Sequence, residues 1–549
     1  MRPNVSNMRL GDGRQIPLGG QSVLAVVGPN NSGKTHFLRS VVAQLHGTTV
    51  DEVQPRGGLI EAIEVSWTDD GHTFDELRDR ARNSFMEDAL GNLQVHNGVT
   101  YPGGNSFRPE SIESLPGRTV DLGVYADLFV QFDDAVQRVG ETEPKKLATP
   151  GGYEKLSLVQ RARESEVATG AIRHYFRGIF GSDVSYYDRG SGDIGFILAS
   201  EVEDGAKVGG PLTERTKGHM EASPKLWLQG LGMRSVLGLL LRIFALDQPI
   251  LILDEPEAFL HPPQSSALGA VLCEIARKYD RQIILSTHDR HILQGLTREG
   301  AHEVHIERLD QSDGTRTSVS VPVAALATAR ATSLVRFSPL LDALFTKVTV
   351  LVENETDAFF YSALLEEYAR AENLRHRGLS PEDFFYLGVG GKAALGRTAG
   401  LVRTLRASVL VIADFDLIFS LSDITTIVNE LAADSRPKLE QLYASFLGAV
   451  DTFAAKESTG RNDVLKRLKH EGLNFDEEDI RTGAKNLLNA LGRMGVFVCQ
   501  VGELEDFDSD LKERVGKAEW VRSALANDVH KSNESLEFAA RIMAGISAS

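Results

Sequence analysis

Two groups of residues in this chain have the types and spacing that chemistry on phosphate groups requires. The first is the loop Gly28-x4-Gly33-Lys34-Thr35, which follows the apolar run Ser22 to Val27 and precedes a helix-compatible stretch. Glycines let backbone amides close around phosphate oxygens, the lysine reaches the β and γ phosphates, and the threonine hydroxyl binds Mg²⁺. The motif therefore predicts an ATP site with these nucleotide-binding residues: Gly28, Asn30, Asn31, Ser32, Gly33, Lys34, Thr35 and His36.

Two later segments belong to the same predicted site. The apolar run Ile250 to Leu253 ends in Asp254 and Glu255. A buried strand there would deliver Asp254 to the metal and to the nucleotide, and Glu255 would act catalytically by polarising the attacking water. After the next predicted strand comes His288, which we expect to sense the γ-phosphate or to stabilise charge during catalysis.

Gly230 and Gly232 open a predicted helix shortly before the Asp254 strand. Their amides could face a phosphate, although glycines at such a place also permit close helix packing. Together with the loop and the acidic strand, the segment Gly230-Leu-Gly232-Met-Arg234 resembles a variant of the signature of ATP-binding cassette (ABC) ATPases. The resemblance covers about residues 20–44 and 222–322. It implies that the two glycines complete the nucleotide site of a second copy, in a homodimer or larger homo-oligomer joined through the ATPase heads.

The second group of chemical residues consists of acids that follow two predicted strands. The strand Val348–Val352 leads into Glu353 and Asp357, and the strand Val409–Ala413 leads into Asp414-Phe415-Asp416. Because the carboxyl ends of parallel strands share one sheet edge, these four acids should converge and hold Mg²⁺ or Mn²⁺, which prefer oxygen ligands. Alternatively, each acid could serve only as a helix cap or first-turn acid.

This arrangement resembles a TOPRIM domain, the metal-binding module of topoisomerases, primases and the overcoming-lysogenization-defect (OLD) nucleases. Glu353 and Asp357 match its glutamate motif, Asp414 and Asp416 match its DxD motif, and Gly388 to Lys392 resembles its glycine turn. The family usually has glycine where this chain has Asn354. Asparagine tolerates left-handed backbone geometry better than most residues, so we expect the turn to persist.

The OLD resemblance also implies a late metal-binding acid and a catalytic lysine. The metal ligand would be Glu505 or Glu503, which share a face if the strand Val496–Val501 continues, and spacing does not choose between them. Lys517 would stabilise the phosphate transition state, unless it is a solvated surface lysine. The segment from Asp254 to Pro262 resembles the same OLD branch.

The elements that must position these residues form two α/β domains. Alternating strands and helices predict parallel α/β units in both halves of the chain. The resemblances above imply that residues 1–330 form an ABC-type P-loop ATPase domain, with an insertion at about 51–222. They imply that residues 331–549 form a TOPRIM, Rossmann-like α/β domain, with a helical insertion at about 417–493.

Composition limits the function classes further. Lys and Arg number 59 and Asp and Glu number 76, so the net charge is −17 with His neutral, which excludes indiscriminate coating of nucleic acid. Two cysteines cannot build a cysteine-rich zinc site. The N-terminus has no apolar core of signal-peptide length, and no apolar run approaches about 18 residues. We therefore expect a cytoplasmic protein with no membrane contact.

The combined patterns predict an ATP-controlled, metal-dependent endonuclease that cuts DNA or RNA. The resemblance to OLD, Gabija and PARIS-type proteins implies a role in bacterial anti-phage defence, with a phage trigger or a separately encoded partner. The alternative is a non-cleaving, ATP-driven clamp or sensor of the structural-maintenance or recombination type, although Gly and Pro interrupt the long coiled coil that it would need. A transporter subunit would have no use for the second group of acids.

Overall fold

The fold was derived from a computed structural model of the chain. The structure describes residues 1–48, 59–69, 73–95, 105–147, 156–188, 192–199, 218, 220–298, 303–312, 315–324, 340–372, 380–515 and 517–546. The chain forms two compact units, Met1–Val323 and Ala324–Ser549.

The first unit contains strands and helices in mixed order. Its strands are β1 (Arg2–Leu10), β2 (Gln15–Pro17), β3 (Val23–Val27), β4 (Ile60–Thr68), β5 (Met86–Glu87), β6 (Leu93–Gln94), β7 (Ser106–Phe107), β8 (Val130–Asp133), β9 (Lys145–Lys146), β10 (Val184–Asp188), β11 (Asp193–Leu198), β12 (Ile250–Asp254), β13 (Gln282–Ser286), β14 (Val304–Ser312) and β15 (Thr315–Ser320). Its helices are α1 (Lys34–Leu45), α2 (Phe74–Ser84), α3 (Ala126–Phe129), α4 (Ala135–Gly140), α5 (Leu158–Glu164), α6 (Glu166–Phe180), α7 (Leu231–Leu246), α8 (Pro262–Lys278) and α9 (Arg290–Leu296).

A six-stranded sheet of order β15-β14-β3-β13-β12-β8 positions the predicted ATP site. Only the β14–β15 pair is antiparallel; the other neighbours run parallel. All five residues of β3 are buried, as expected for a central parallel strand, and α1 begins directly after Gly33. Because β3, β12 and β13 run parallel, the residues that follow them meet at one edge of the sheet.

Strand β8 lies within the segment that the sequence assigns to an insertion. It pairs in parallel with β12, from Ile250 opposite Val130 to Leu253 opposite Asp133. The segment at about 51–222 therefore supplies one strand of the central sheet, beside the strand that ends in Asp254.

An antiparallel sheet, β2-β1-β4, covers the helix that follows the P-loop. Its buried residues, including Met8 and Ile63, form one apolar core with Phe37 and Leu38 of α1 and Ile252 of β12. Burial of these side chains from both layers holds α1, and with it the P-loop, against the central sheet.

The second unit is an α/β layer structure with one parallel sheet. Its strands are β16 (Val348–Val352), β17 (Phe384–Gly388), β18 (Ser408–Ala413) and β19 (Val496–Val498). Its helices are α10 (Glu355–Ala371), α11 (Leu395–Thr404), α12 (Leu421–Ala432), α13 (Arg436–Lys456), α14 (Arg461–Glu471), α15 (Glu478–Gly492), α16 (Ser509–Val515), α17 (Lys517–Ala526) and α18 (Asn533–Ile546). The sheet order is β17-β16-β18-β19, with all pairs parallel.

Aromatic side chains form the core on one face of this sheet. Phe360 of α10 packs against Trp520 of α17 and against Phe507, and the cluster continues to Phe538 of α18. Large buried aromatic rings contribute much of the burial free energy in a small layer of this kind. They also fix α10, which begins beside Glu353.

The end of β19 differs from the prediction. The strand stops at Val498 rather than Val501, and a 3-10 helix, Leu504–Asp508, follows with Glu503 as its N-cap. The condition under which Glu503 and Glu505 would share a strand face is therefore not met. Helices α12 to α15 lie between β18 and β19, in the segment where the sequence predicts a helical insertion.

None of the helices in the described part of the chain combines the length and the apolar character that a membrane span requires.

Candidate functional site

The P-loop has the backbone geometry that its glycines allow. Gly28 and Gly33 adopt positive φ angles of 147° and 92°. A Cβ at Gly28 would lie 2.3 Å from the carbonyl oxygen of Leu309 on β14, so a larger residue does not fit there. Of the other predicted loop residues, Asn30 and Asn31 are exposed and Ser32 is buried.

Lys34 is buried inside this loop. Its Nζ donates hydrogen bonds to the carbonyl oxygens of Gly28 and Pro29, at 3.0 Å each. Burial lowers the pKa of Lys34, while the nearby Glu255 and Asp254 oppose that shift. An ammonium group with two neutral acceptors is suited to exchange them for phosphate oxygens.

Asp254 and Thr35 lie together as a metal-binding pair requires. Thr35 Oγ1 donates to both carboxylate oxygens of Asp254, at 3.2 and 3.0 Å. Ser286 at the end of β13 also donates to Asp254 Oδ1. Two strands, β12 and β13, and helix α1 thus deliver a carboxylate and two hydroxyls to one point.

The predicted catalytic residues Glu255 and His288 contact each other. His288 Nδ1 lies 2.9 Å from Glu255 Oε1. This hydrogen bond lowers the pKa of Glu255 and raises the pKa of His288, so both side chains favour their charged forms. Glu255 has a positive φ of 46°, an uncommon conformation for a residue with a side chain.

Glu257, two residues after Glu255, is a buried acid that the sequence patterns did not assign to the site. It accepts a hydrogen bond from Thr287 Oγ1, and burial raises its pKa to about 7.

Gly230 and Gly232 have different surroundings at the start of α7. Gly230 is exposed, and a Cβ there would meet no atom within 4 Å. A Cβ at Gly232 would lie 2.7 Å from the carbonyl oxygen of Phe259, so that glycine permits close packing. The large apolar side chains of Leu228 and Phe259 nearby are 74% and 54% exposed.

A buried arginine that the sequence did not reveal clamps the acidic strand end. Arg138 of α4 is fully buried and donates to the carbonyl oxygens of Asp254 (3.2 Å) and Glu255 (2.7 Å). Its Nε donates to Ser235 Oγ of α7 at 3.1 Å. Arg138 therefore joins the glycine-led helix to the backbone that holds both acids.

Asp133 balances this arginine. It lies 3.7 Å from Arg138 and 3.1 Å from Arg242, and it is fully buried. Burial raises the pKa of Asp133 to about 6, against the effect of the two guanidinium groups. The apolar run from Leu128 to Phe132, interrupted by Gln131 and followed by Asp133, is the sequence signal that could have indicated a strand here.

Arg316 of β15 is a second residue that the sequence did not reveal. A Cβ at Gly33 would lie 2.9 Å from Arg316 Nε, so the guanidinium group lies directly against the P-loop. Burial lowers the pKa of His36 on that loop, and Arg316 lowers it further.

The predicted acids of the second unit meet at the carboxyl edge of its sheet. Glu353 follows β16, and its carbonyl oxygen accepts hydrogen bonds from the amides of Gly390 and Gly391, at 2.8 Å each. The glycine turn thus fixes the tip of β16. Burial raises the pKa of Glu353, and Asp416 and Asp357 raise it further.

Asn354 and Asp357 form a helix cap. The Asn354 amide donates to Asp357 Oδ2 at 3.0 Å, which is the capping interaction offered above as the alternative to metal binding. Asn354 has φ −132°, so the expected left-handed geometry is wrong. Asparagine fits here because the position requires no positive φ.

The DxD residues point in two directions. Asp414 Oδ1 accepts a hydrogen bond from the Leu504 amide at 3.0 Å, which ties β18 to the segment after β19. Phe415 is buried, as expected. Asp416 Oδ2 lies 3.2 Å from Lys392 Nζ and 3.2 Å from Lys469 Nζ.

Glu503 is the late acid that the structure brings to Asp416. Its Oε1 lies 3.2 Å from Lys469 Nζ, which also contacts Asp416. Its Oε2 lies 2.9 Å from Lys512 Nζ, which contacts Asp506 at 2.8 Å. Glu505, two residues after Glu503 and within the 3-10 helix that Glu503 caps, is also buried.

Two further observations concern metal and lysine. His470, Glu503 and Asp506 offer ligand atoms within 4.8 Å of one another. The predicted lysine, Lys517, begins α17, but its side chain lies outside the described part of the chain. Lys392, Lys469 and Lys512 are the lysines with described contacts to these acids.

Comparison with known proteins gives one family match. Residues 152–294 match the family described as "AAA domain, putative AbiEii toxin, Type IV TA system". The matched region includes the glycine-led helix, Asp254, Glu255 and His288, and it begins after the P-loop. No curated protein matches the chain.

Several solved structures are similar to part of the chain. An SMC head bound to the C-winged helix domain of ScpA has 13% identity over 59% of this chain and 99% of that chain, with a TM-score of 0.36. The SMC head domain from Thermotoga maritima has 14% identity over 59% and 100%, with a TM-score of 0.30. The cbiO1 protein from Clostridium perfringens, part of an ABC transporter complex, has 12% identity over 62% and 97%, with a TM-score of 0.28.

These similarities are too low to bear on activity. The family match, the P-loop and the order of the central sheet agree on the fold of the first unit. It is an α/β domain with a P-loop and a mixed sheet, and its residues 152–294 are similar to an AAA domain.

Proposed function

We propose that this chain is an ATP-hydrolysing, metal-dependent endonuclease of the OLD type, with an ATPase domain over about residues 1–330 and a TOPRIM nuclease domain over about 331–549. The observation that carries the nuclease half is the convergence of Glu353, Asp414 and Asp416 at the carboxyl edge of a parallel sheet. The ATP site alone would leave this second group of acids without a purpose.

In the ATPase half, the loop amides and Lys34 would hold the phosphates, and Thr35 with Asp254 would hold Mg²⁺. Glu255 would orient water once His288 turns from its carboxylate toward the γ-phosphate. The contact between Glu255 and His288 supports these roles, because it shows that both side chains reach the same point.

The second-unit acids fit a divalent metal. Their donors are hard oxygens, and Oε1 of Glu353 is buried without a hydrogen-bond partner among the described residues. Burial raises the pKa of Glu353, and the neighbouring carboxylates of Asp416 and Asp357 raise it further; a bound cation would relieve this repulsion. When bound, two such ions would activate water and stabilise the leaving oxygen of a phosphodiester.

Each acid and lysine at this edge has a task in this scheme. Glu353, Asp414, Asp416 and Glu503 or Glu505 would bind the ions, and Asp357 would support them through its cap contact with Asn354. A lysine at the edge would contact the phosphate. The contacts of Lys469 and Lys512 with these acids support either lysine for this role, and Lys517 stays a prediction.

The partners of this scheme follow from the two sites. In a homodimer, Gly230 at the exposed start of α7 of one copy would contact the ATP bound in the P-loop of the other copy, so that ATP would join the two heads. The exposed Leu228 and Phe259 support such an interface. The substrate would be DNA or RNA, and the role anti-phage defence with a separate trigger or partner.

The decisive experiment incubates the full-length protein with Mg²⁺ or Mn²⁺ and ATP, separately with plasmid DNA and with total RNA. We expect cleavage of one of them by the wild type and at least a 100-fold slower rate for Asp414→Asn. The matched control, Asp434→Asn, changes an exposed acid of the helical insertion and should cut at the wild-type rate.

Equal cleavage by wild type and Asp414→Asn would exclude the proposed site. ATP-dependent retention of DNA without any cleavage would instead support the clamp or sensor.

A further inference from the structure

The acid edge of the second unit carries lysines from three separate elements. Lys392 follows the glycine turn after β17, Lys469 belongs to α14 of the helical insertion, and Lys512 belongs to α16. We call these three residues the lysine cluster. Their ammonium groups contact the carboxylates of Asp416, Glu503 and Asp506.

Lys469 differs from the other two lysines because it joins acids from two different strand ends. Its Nζ lies 3.2 Å from Asp416 Oδ2, after β18, and 3.2 Å from Glu503 Oε1, after β19. Lys392 contacts only Asp416 among these acids, and Lys512 contacts Glu503 and Asp506.

The charge on Asp416 is balanced as a divalent cation would balance it. Two ammonium groups, from Lys392 and Lys469, lie at the same distance from one oxygen, Asp416 Oδ2. Each ammonium carries a single charge, whereas Mg²⁺ or Mn²⁺ would supply two charges from a smaller volume and prefers oxygen ligands.

The Lys469 contact is also readily exchanged. The Lys469 side chain is 36% exposed, so its ammonium can turn to water when another cation takes its place beside the two acids. Although partial burial disfavours its charged form, hydrogen bonds to Asp416 and Glu503 raise the pKa of Lys469 to about 12, so it stays charged.

We propose that Lys469 occupies the cation position between Asp416 and Glu503 and is displaced when a divalent metal binds, so that the helical insertion controls metal loading. This inference rests on the proposed nuclease function, because it takes these two acids as metal ligands. The charged groups that face Lys469 are Asp416 and Glu503 themselves, with Lys392, Lys512 and His470 beside them.

The test measures Mn²⁺ binding by the full-length protein without nucleic acid, by titration calorimetry and by the electron paramagnetic resonance signal of free Mn²⁺. Lys469→Met removes the competing charge and keeps an unbranched side chain that is one atom shorter. We expect about threefold to tenfold tighter Mn²⁺ binding for this variant. Lys469→Arg keeps the charge and should bind Mn²⁺ as the wild type does.

Lys466→Met is the matched control. Lys466 lies on the same helix, is 80% exposed and pairs only with Asp463 among the described residues. Its removal changes the net charge by the same amount without touching Asp416, so the Mn²⁺ affinity should stay within about twofold of wild type.

A second measurement follows the helix itself. Hydrogen exchange of the α14 amides should become faster when Mn²⁺ binds to the wild type, because the anchor through Lys469 is lost. The same amides should exchange at one rate with and without Mn²⁺ in Lys469→Met.

The outcomes separate the two proposals. If the wild type binds no Mn²⁺ at this site, or binds it equally well after Asp416→Asn, the proposed metal function fails. If the wild type requires Asp416 but Lys469→Met has unchanged or weaker affinity, only the inference about Lys469 fails.

Discussion

The two carboxyl edges of this molecule hold their acids by different means. In the first unit, Asp254 accepts hydrogen bonds from Thr35 and Ser286, while a buried arginine grips the backbone behind it. In the second unit, Asp416 and Glu503 are held by lysines whose side chains are 25–36% exposed.

Two similar sheet edges can therefore hold their candidate metal-binding acids either by neutral hydrogen-bond donors or by lysine counter-ions. The two hydroxyls carry no charge, and Arg138 contacts backbone carbonyls rather than the carboxylate, so these contacts keep Asp254 in place whether or not a cation is present. Lysines neutralise the acids but must give way to a cation. We therefore expect the first site to be preorganised and the second to be regulated by its counter-ions.

The largest expected effect concerns the first edge. Lys34→Ala removes the ammonium group from the P-loop and should lower the rate of ATP hydrolysis by about 100-fold or more. Steady-state phosphate release measures this rate, and thermal unfolding controls for folding. An unchanged rate would exclude the P-loop as the ATP site.

The buried clamp gives the next effect. Arg138→Met leaves Asp133 buried with Arg242 alone and frees two carbonyl groups, so the free energy of unfolding of the first unit should fall by about 3 kcal/mol. Urea denaturation measures it. Arg234→Met, which changes a half-buried arginine on α7, should lower the free energy of unfolding by less. An equal loss in both variants would contradict the stabilising role assigned to the Arg138 contacts.

At the second edge, substitutions of Glu503 and of Glu505 should weaken Mn²⁺ binding by different amounts. Glu503→Gln should weaken Mn²⁺ binding by more than about tenfold, because the structure joins Glu503 to Asp416 through Lys469. Glu505→Gln should weaken it less, and calorimetry compares the two. The reverse order would assign the late metal ligand to Glu505.

A substitution of Arg316 tests whether the β14–β15 hairpin contributes to ATP binding at the P-loop. Arg316→Ala should weaken ATP binding by about tenfold, because a guanidinium group beside the P-loop can pair with a phosphate. A fluorescent ATP analogue measures the affinity. Arg39→Ala, which removes another positive charge near His36, is the control, and an equal loss in both variants would indicate only a general field.

The smallest expected effect is a change in the pKa of His288. The hydrogen bond to Glu255 raises the pKa of His288 above its ordinary value of 6.5, so the charged pair is complete below that value and weakens as pH rises through the raised pKa. Glu255→Gln should return the pKa of His288 toward 6.5, because the carboxylate that favours the charged imidazole is removed. Histidine NMR titration, assigned with His288→Asn, measures it; an unaltered pKa would show that the contact is absent in solution.

Much of the fold was accessible from the sequence because the central strands are short, apolar and closely followed by chemical residues. The strands ending near Asp254 and Glu353 were predicted within one residue, and a helix follows the P-loop as predicted. Such strands are buried on both faces, so their composition alone distinguishes them.

The supporting residues were less accessible. Arg138 and β8 depend on pairing with β12, which lies far along the chain, and no local pattern encodes that partner. Lys466 and Lys469 lie on one polar helix, and sequence spacing does not tell which of them reaches an acid. Local geometry also decided Asn354, whose φ of −132° reflects a helix cap rather than a left-handed turn.

The position of β3 has a consequence for synthesis of the protein. This strand carries the P-loop, yet its neighbours in the sheet are β13 and β14, from Gln282 onward. A nascent chain that has emerged from the ribosome only as far as Leu246 would therefore hold the P-loop without the strands on either side of it. Such high contact order slows folding, so ATP would become a ligand only after most of the first unit has been translated.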